Sequence, residues 1–455
     1  MSTTNTCYND FKRGVRTCKE FKMQTPFLFS LVWLVGVLTM VSSADAIVQR
    51  KGINQDESKV PEFELPRVLA CQDGEVVKSV EAWEKRRRPE LLQLFCDHVY
   101  GNVPEKTVPV SFSVGDQWEV LDGAAMRKEV VIRFGEGDSA VEATMLLTTP
   151  TASERSPCFL GFNFNGNHTT TSDPNVTIPA SWVRNKKSFG TQDNKAGEQG
   201  RGKSASRWPC REIVGRGFAV ATIYYGDVDP DLNDFSNGVH PLFYAEGQIS
   251  PSEKQWGSIG AWAWALSRAL DYLEKDSSIN ASRVAVIGHS RLGKTSLWAG
   301  ARDSRFWMTV SNDSGCGGAA LHRRKFGETV KVINTSFPHW FCDQFVQYND
   351  NENLIPVDQH QLMSLIAPRL IYVASASQDL WADPRGEYLS LAESDETFGL
   401  YEGSGFESMA RDIIQPDQPV RVGCRAYHVR SGAHDITLYD WGQYMEFAGR
   451  HLKSR

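Results

Sequence analysis

The segment from Val284 to Lys294 constrains the fold of this chain more than any other part of the sequence. A β-branched apolar run stops at Gly288-His289-Ser290, and helix-forming residues follow at once. A serine in this position lies on a sharp turn between a strand and a helix, with the positive end of the helix directed at its hydroxyl. The pattern predicts a nucleophile elbow with Ser290 as the nucleophile. It departs from the common pattern at Leu292, where a glycine is usual and is here delayed by one residue.

Three further apolar runs follow the elbow, and each ends in a loop that carries an ionisable side chain. The runs span residues 308–311, 370–374 and 426–430. In an α/β-hydrolase sheet the nucleophile, the acid and the base follow in that order along the chain, at the ends of successive strands. His434, after the third run, is therefore the candidate base. Asp313 and Asp379, after the first two runs, compete to orient it, and either could instead cap a turn or a helix.

Two cationic residues, Arg291 and Lys294, come one and four residues after Ser290 and so lie on the first turn of the predicted helix. A helix N-terminus favours anions nearby, so two cations there indicate a negatively charged guest. The oxyanion of a tetrahedral intermediate is such a guest, because a guanidinium stays protonated and donates charge-assisted hydrogen bonds. The alternative is that both side chains are solvated surface groups. The loop 163–168 is either a second oxyanion loop or a plain turn.

Composition excludes several classes of function. With 455 residues, 41% of them apolar, the chain can bury one large core. A net charge of −6, without a basic stripe interleaved with aromatics, argues against a nucleic-acid partner. The sequence lacks metal-ligand spacings and a Gly-rich phosphate loop, so we expect no metal and no cofactor. Helical spacing predicts a helix over 259–273, and the Asn-, Ser-, Lys- and Gly-rich segment 171–207 predicts a surface excursion near the rim of the site.

The N-terminus has the pattern of a secretory signal peptide. Basic residues precede the apolar run Phe27–Val41, and Ala44-Asp45-Ala46 offers a small-x-small cleavage site. The apolar run is short for a membrane span. We therefore expect residues 1–46 to be a signal, residues 47–455 to form a single domain, and the mature protein to be secreted or periplasmic, with no membrane association after signal removal.

Export would place the remaining cysteines in an oxidising compartment. Removal of Cys7 and Cys18 with the signal leaves seven cysteines, which permits up to three disulfides. Cys316 and Cys342 are a candidate pair, although spacing does not determine pairing. We expect the mature chain to be a monomer.

The elbow segment Gly288-His289-Ser290-Arg291-Leu292-Gly293-Lys294 resembles the Gly-Cys-Ser-Arg-x-Gly-Lys motif of the glucuronoyl esterases, carbohydrate esterase family 15. The likeness includes further motifs between roughly residues 80 and 450, and bacterial members match them better than fungal ones. These motifs lie at residues 312–318, 326–329, 337–342, 356–360, 367–369, 381–384 and 432–435. The resemblance implies an α/β-hydrolase fold, with a mostly parallel sheet flanked by helices in three layers.

The resemblance also implies a catalytic role for each candidate. Ser290 would be the nucleophile, His434 the base, and Arg291 would reach the oxyanion. Asp313 stands where the family usually has glutamate, a carboxylate one methylene longer, and Asp379 stands where some members place the acid instead. We expect Asp313 to carry most of the orienting role, with Asp379 able to substitute in part.

The substrate residues follow from the same resemblance. Lys294 and Glu328 would bond the hydroxyls of a uronate ring, and Trp381 would pack on its face. His289 replaces the frequent family cysteine, so a disulfide anchored there in other members is absent. We expect His289 to pack under the elbow rather than to catalyse.

The activity implied is that of an exported serine esterase that cleaves esters of (4-O-methyl)-D-glucuronic acid. Its substrate would be glucuronoxylan, including the ester links that join glucuronoxylan to lignin, and the chemistry would be that of a Ser-His-Asp acyl-enzyme. An acetyl xylan esterase or a broad carboxylesterase on the same site is the close alternative. A catalytically inactive, carbohydrate-binding relative is the alternative from a different class.

Overall fold

One mixed β-sheet organises the part of the chain that the computed structural model describes, residues 53–402, 405–406 and 415–453. The predicted signal segment lies outside the described residues. The strands are β1 Val110–Val120, β2 Ala125–Phe134, β3 Val141–Pro150, β4 Ser156–Asn163, β5 Ala219–Tyr224, β6 Ile279–His289, β7 Met308–Asn312, β8 Leu370–Ala376, β9 Val420–Val422 and β10 Arg425–Arg430. Their order across the sheet is β1-β2-β3-β5-β4-β6-β7-β8-β10-β9.

The interior of this sheet is parallel and its edges are antiparallel. Strands β5, β4, β6, β7, β8 and β10 pair in parallel. Strands β1 to β3 on one side and β9 on the other are antiparallel additions. Every residue of β5, β7, β8 and β10 is buried, as expected for a sheet covered by helices on both faces. The predicted fold, a mostly parallel sheet flanked by helices, is confirmed.

Helices connect the strands and supply the outer layers. The α-helices among the described residues are α1 Val80–Ala82, α2 Arg88–Phe95, α3 Cys210–Gly215, α4 Tyr225–Val228, α5 Ser258–Leu273, α6 Arg291–Arg302, α7 Val330–Ser336, α8 Gln359–Ser364, α9 Pro384–Glu393, α10 Asp395–Glu402 and α11 Leu438–Lys453. Helix α5 confirms the prediction for 259–273 and packs against α6. In the described part of the chain, no helix has the length and hydropathy required to span a bilayer.

The predicted strand-to-helix turn is present at Ser290. Strand β6 ends at His289 and α6 begins at Arg291, so Ser290 is the single residue between them. Its φ is 57° and its ψ is −129°, a combination that L-residues rarely adopt. The backbone N–H of Ser290 donates to the Asn312 carbonyl at 2.8 Å, which ties the turn to the end of β7. Such strain is stored where the surrounding structure enforces it, and functional sites are the usual places.

The glycines of the elbow explain why the motif departs from the common pattern. A Cβ on Gly288 would lie 1.8 Å from the Leu292 carbonyl oxygen, so only glycine fits before the turn. On the far side, a Cβ on Gly293 would lie 2.9 Å from Cβ of Ser314. Leu292 itself is buried in the first turn of α6. The close approach after the nucleophile therefore falls at 293 rather than 292, and the delayed glycine follows from that packing.

The expected pairing of Cys316 with Cys342 is wrong. All seven cysteines among the described residues are free thiols, and both members of the candidate pair are buried. Burial raises the pKa of Cys342 to about 12 and that of Cys316 well above its usual range. Each thiol is thus held protonated within the hydrophobic core, where it packs as a small apolar side chain.

Replacement of Gly288 by alanine should destabilise the fold. The added methyl group overlaps the Leu292 carbonyl, so the elbow must shift, and we expect a loss of roughly 1–3 kcal/mol or more in the free energy of unfolding. Gly449→Ala is the matched control, because this helical position in α11 has no atom within 4 Å of the new methyl group and alanine should stabilise the helix by up to about 1 kcal/mol. Urea denaturation of the two variants measures both effects. Equal stability of the two variants would contradict this account of the elbow.

Candidate active site

Ser290 and His434 line the same cavity, as the order of the motifs predicts. The cavity has a volume of about 270 Å³, and Arg291 also lines it. Ser290 reaches it from the elbow, and His434 reaches it from the loop that follows β10. The main-chain carbonyl of Ser290 accepts from the N–H groups of Gly293 and Lys294, at 2.8 and 3.2 Å, which starts α6 directly behind the serine. The structure therefore brings a serine and an imidazole together at the carboxyl ends of two strands.

Asp379, not Asp313, is the hydrogen-bond partner of His434. Nδ1 of His434 lies 2.6 Å from Oδ2 of Asp379 and 4.0 Å from Oδ2 of Asp313. Asp379 does not cap the following helix, because the side chain of Asp383 caps α9 instead. With Nδ1 engaged, Nε2 of His434 is the nitrogen left for a reacting hydroxyl. The expectation that Asp313 is the principal partner is not met.

The surroundings of Asp313 explain this outcome. Its backbone is in the left-handed region, with φ 47°, and its carboxylate accepts the Asp435 N–H at 3.2 Å. Burial, together with the nearby carboxylate of Asp379, raises the pKa of Asp313 well above its usual range. A carboxyl group with so little tendency to ionise is a poor partner for a developing imidazolium.

Asp313, Asp379 and His434 also place three potential metal-ligand atoms within 4.8 Å of one another.

An arginine that the sequence analysis did not single out holds the loop of His434. The Arg430 guanidinium donates to three main-chain carbonyls around that histidine, those of Ser431, Ala433 and Asp435. The buried carboxylate of Asp440 accepts from Nε of Arg430 at 3.0 Å. Sequence reasoning missed this residue because it ends β10 as one more polar residue, and only the fold shows that it turns back onto the loop.

His289 packs beneath His434, close to the position expected for it. The two rings lie 4.5 Å apart between centroids, and Nδ1 of His289 lies 2.6 Å from the side-chain oxygen of Asn312. Burial, and then the neighbouring His434, lower the pKa of His289 well below its usual range. His289 therefore presents a neutral ring to the imidazole of His434.

Arg291 is held by a buried carboxylate, Asp231, that no sequence motif indicated. The guanidinium of Arg291 forms an ion pair with Asp231 and lies over the Trp340 ring, 4.7 Å from its centroid. The side chain of Arg291 is 23% exposed, whereas that of Asp231 is fully buried. The arginine thus faces the cavity from a fixed position rather than from the free surface, which was the alternative for this residue.

Asp231 accepts hydrogen bonds from several donors besides Arg291. It accepts from His339 Nε2 at 2.9 Å, from Trp340 Nε1 at 2.8 Å and from the Tyr225 hydroxyl at 3.0 Å. Burial by itself would raise the pKa of Asp231, but the His339 hydrogen bond and the charge of Arg291 outweigh it and hold the pKa below its usual range. The only sequence signal was the Pro-His-Trp segment at 338–340, whose role could not be read without the fold.

The three residues implied to bind a uronate, Lys294, Glu328 and Trp381, lie next to one another. Nζ of Lys294 lies 3.7 Å from Oε2 of Glu328, and both side chains are buried. The backbone N–H of Glu328 donates to the Trp381 carbonyl at 2.9 Å. Burial raises the pKa of Glu328, an effect that the charge of Lys294 partly offsets. Lys294 is therefore not a solvated surface residue.

The excursion 171–207 and the loop 163–168 both reach the site. Phe164 and Asn165 of the loop line the cavity, as do three cations of the excursion, Arg184, Lys186 and Arg207. The side chain of Asn163 folds the loop back, because its oxygen accepts the Gly166 N–H at 2.8 Å. The predicted position of the excursion at the rim is confirmed, and the oxyanion role of the loop stays a prediction.

Comparison with known proteins places the chain in a family. A family model described as "Glucuronyl esterase, fungi" matches residues 212–400. The curated protein Carbohydrate esterase MZ0003, from an unknown prokaryotic organism, is 47% identical over 424 residues, which is 93% of this chain and 98% of that protein. A solved structure of a promiscuous CE15 esterase from a marine bacterial metagenome has a TM-score of 0.83 at 48% identity, and covers 88% of this chain and 100% of its own.

A second solved structure agrees with the first. The glucuronoyl esterase from Solibacter usitatus has a TM-score of 0.80 at 41% identity, and the match covers 86% of this chain and 99% of that one. Both solved structures match along nearly their whole lengths. The chain belongs to carbohydrate esterase family 15 and is a carboxylic ester hydrolase.

Proposed function

We propose that this protein is a serine esterase that cleaves esters of (4-O-methyl)-D-glucuronic acid in glucuronoxylan, including those that join it to lignin. The observation that carries the proposal is the 2.6 Å contact of His434 with Asp379 beside the cavity that Ser290 lines. The Solibacter relative supports the acyl group, since it is a glucuronoyl esterase at 41% identity.

The reaction follows the acyl-enzyme route. His434 Nε2 removes the proton from Ser290 as its oxygen attacks the ester carbonyl, and the alcohol leaves with that proton. Water then attacks the acyl-enzyme with His434 again as the base. Asp379 keeps the proton of the imidazole on Nδ1 and stabilises the imidazolium that forms in each step. The strained φ of Ser290 holds the hydroxyl outward for this attack.

Arg291 stabilises the oxyanion. Negative charge develops on the carbonyl oxygen only in the transition state, and a donor that is already fixed needs no reorganisation at that moment. Asp231 supplies the fixation, because it holds the guanidinium from behind with a fully buried carboxylate. The ring of Trp340 flanks the cation and excludes water from one side.

The uronate ring binds to Lys294, Glu328 and Trp381. The ammonium and the carboxylate form a buried pair that offers both donors and acceptors to sugar hydroxyls. A tryptophan face suits the C–H surface of a sugar. A broad carboxylesterase is the second candidate, because the relative at 48% identity is a promiscuous esterase.

We also propose that residues 1–46 direct export to the periplasm or the medium and that the mature protein is a monomer. The basic, apolar and small-residue order of the segment supports export. N-terminal sequencing of the protein recovered from a secreting host tests the cleavage site. A first residue of Ile47 is expected, and an intact N-terminus in that host would contradict the proposal.

Turnover of a glucuronate ester should depend on Ser290. Purified protein should release glucuronate from its benzyl ester faster than acetate from acetylated xylan, and Ser290→Ala should lower kcat by about 10⁶-fold, the order expected when a nucleophile is removed. Product release followed by chromatography measures both. Faster cleavage of acetylated xylan would favour the acetyl xylan esterase. No turnover of either ester by the unmodified chain would support the inactive relative, and equal turnover by Ser290→Ala would show that Ser290 is not the nucleophile.

Asp379→Asn should cost far more activity than Asp313→Asn. The first variant loses the carboxylate that contacts His434, and an amide there favours the wrong tautomer, so we expect a loss of about 10³- to 10⁴-fold in kcat. The second removes a carboxyl that prefers its neutral form, so we expect a loss of roughly ten-fold or less. Steady-state kinetics on one glucuronate ester give both values. A larger loss for Asp313→Asn would transfer the acid role to that residue.

Asp231→Asn should lower kcat more than it changes KM. The amide cannot balance the Arg291 charge, so the guanidinium is less well fixed. Because the oxyanion is then less well stabilised, we expect kcat to fall roughly 10- to 100-fold. Asp234→Asn, on the same loop but bonded to Ser236 and Asn237, is the matched control. The same loss of kcat in both variants, or an effect on KM alone, would show that Asp231 does not act through Arg291.

A further inference from the structure

The cavity beside Ser290 is not built from the residues assigned to the sugar. Among the described residues, its lining includes Ser290, His434 and Arg291 on the catalytic side and Arg184, Lys186 and Arg207 from the excursion. The three candidate uronate residues, Lys294, Glu328 and Trp381, do not line it. With the acyl group on those three residues, this cavity is the space left for the other half of the ester.

The charged side chains that line this cavity are cationic. Four of the described lining residues are arginine or lysine and none is a carboxylate. Three of these cations have a carboxylate nearby. The fully buried Asp231 pairs with Arg291 and lies 3.6 Å from Nη2 of Arg184, and the partly exposed Asp435 lies 2.7 Å from Nε of Arg207. The cavity itself therefore presents cationic groups to a ligand.

Lys186 is the least neutralised of these cations. Within the described ranges, no carboxylate oxygen lies within 4.0 Å of its ammonium, which instead lies 4.5 Å from the centre of the Phe189 ring. Burial, and then the charge of Arg207, lower the pKa of Lys186. Lys186 and Arg207 line the same cavity and disfavour each other's charge, an arrangement that an anion placed between them would relieve.

We propose that this cavity is the subsite for the alcohol of the ester and that it favours an alcohol carrying a carboxylate. The inference rests on the proposed function, which assigns the uronate to Lys294, Glu328 and Trp381. Lys186 and Arg207, with Arg184 on the same lining, bind the carboxylate while Ser290 attacks the ester carbonyl. The alcohol oxygen then takes its proton from His434 and departs, with its carboxylate unchanged.

The exposure of the cations limits how strongly the cavity can prefer an anionic alcohol. The side chain of Arg184 is 62% exposed, so water and salt screen its charge, and each such contact contributes modestly. Together, the cations should favour an anionic alcohol by roughly three- to ten-fold in kcat/KM at low ionic strength. The preference should decline as salt shortens the screening length.

The experiment compares two glucuronate esters of equal size, the 4-carboxybenzyl ester and the neutral 4-carbamoylbenzyl ester. The full chain should prefer the carboxylate at about 20 mM NaCl and lose most of that preference at about 500 mM. Lys186→Glu should abolish or invert the ratio of the two kcat/KM values, and Lys186→Arg should retain it. Lys195→Gln, an exposed lysine of the same excursion that does not line the cavity, should leave the ratio unchanged.

Each contrary result has a distinct meaning. Equal kcat/KM values for the two esters in the full chain, or the same loss of preference in Lys195→Gln as in Lys186→Glu, would overturn the subsite. Retention of the full preference by Lys186→Glu would overturn it as well. No turnover of either glucuronate ester, with p-nitrophenyl acetate still cleaved, would instead overturn the proposed function, and the subsite with it.

Discussion

The missing side chain of Gly288 is the constraint on which the site depends. Because no Cβ stands there, the Leu292 carbonyl can approach the end of β6, and α6 can begin within one residue of the strand. That single turn sets Ser290 outward and puts Arg291 and Lys294 on the first helical turn. Three candidate side chains therefore derive their positions from one close backbone approach.

Buried ion pairs fix the rest of the site. Asp231 holds Arg291, Glu328 lies beside Lys294, and Asp440 holds the Arg430 that anchors the loop of His434. Each pair removes two charges from water, which is costly unless hydrogen bonds satisfy the remaining atoms. Such pairs contribute little net stability but strongly resist the loss of either partner. The protein uses them where orientation, rather than stability, limits the chemistry.

The elbow and helix α5 could be predicted from sequence because each depends on neighbours in the chain. That Ser290 and His434 share a cavity could be predicted because parallel strands end along one edge of the sheet. The hydrogen-bond partner of His434 could not be predicted, because Asp313 and Asp379 both follow parallel strands at the same edge of the sheet, and only burial and side-chain direction separate them. Asp231 was missed for a related reason: its donors come from distant segments, and no local spacing indicates a residue of that kind. The Cys316 and Cys342 pair was wrong because redox compartment permits disulfides without requiring them.

The free thiols of the core have a consequence of their own. Six of the seven are buried, and burial keeps the pKa of those at 96, 158, 316 and 342 raised. The described part of the fold therefore contains no disulfide for an oxidant or a disulfide isomerase to form. The rate at which a maleimide labels these buried thiols should measure local opening of the core, because the reagent can reach them only when the surrounding core opens. Because Cys316 lies in the turn after β7, its labelling rate would time the opening of the active-site floor separately from global unfolding.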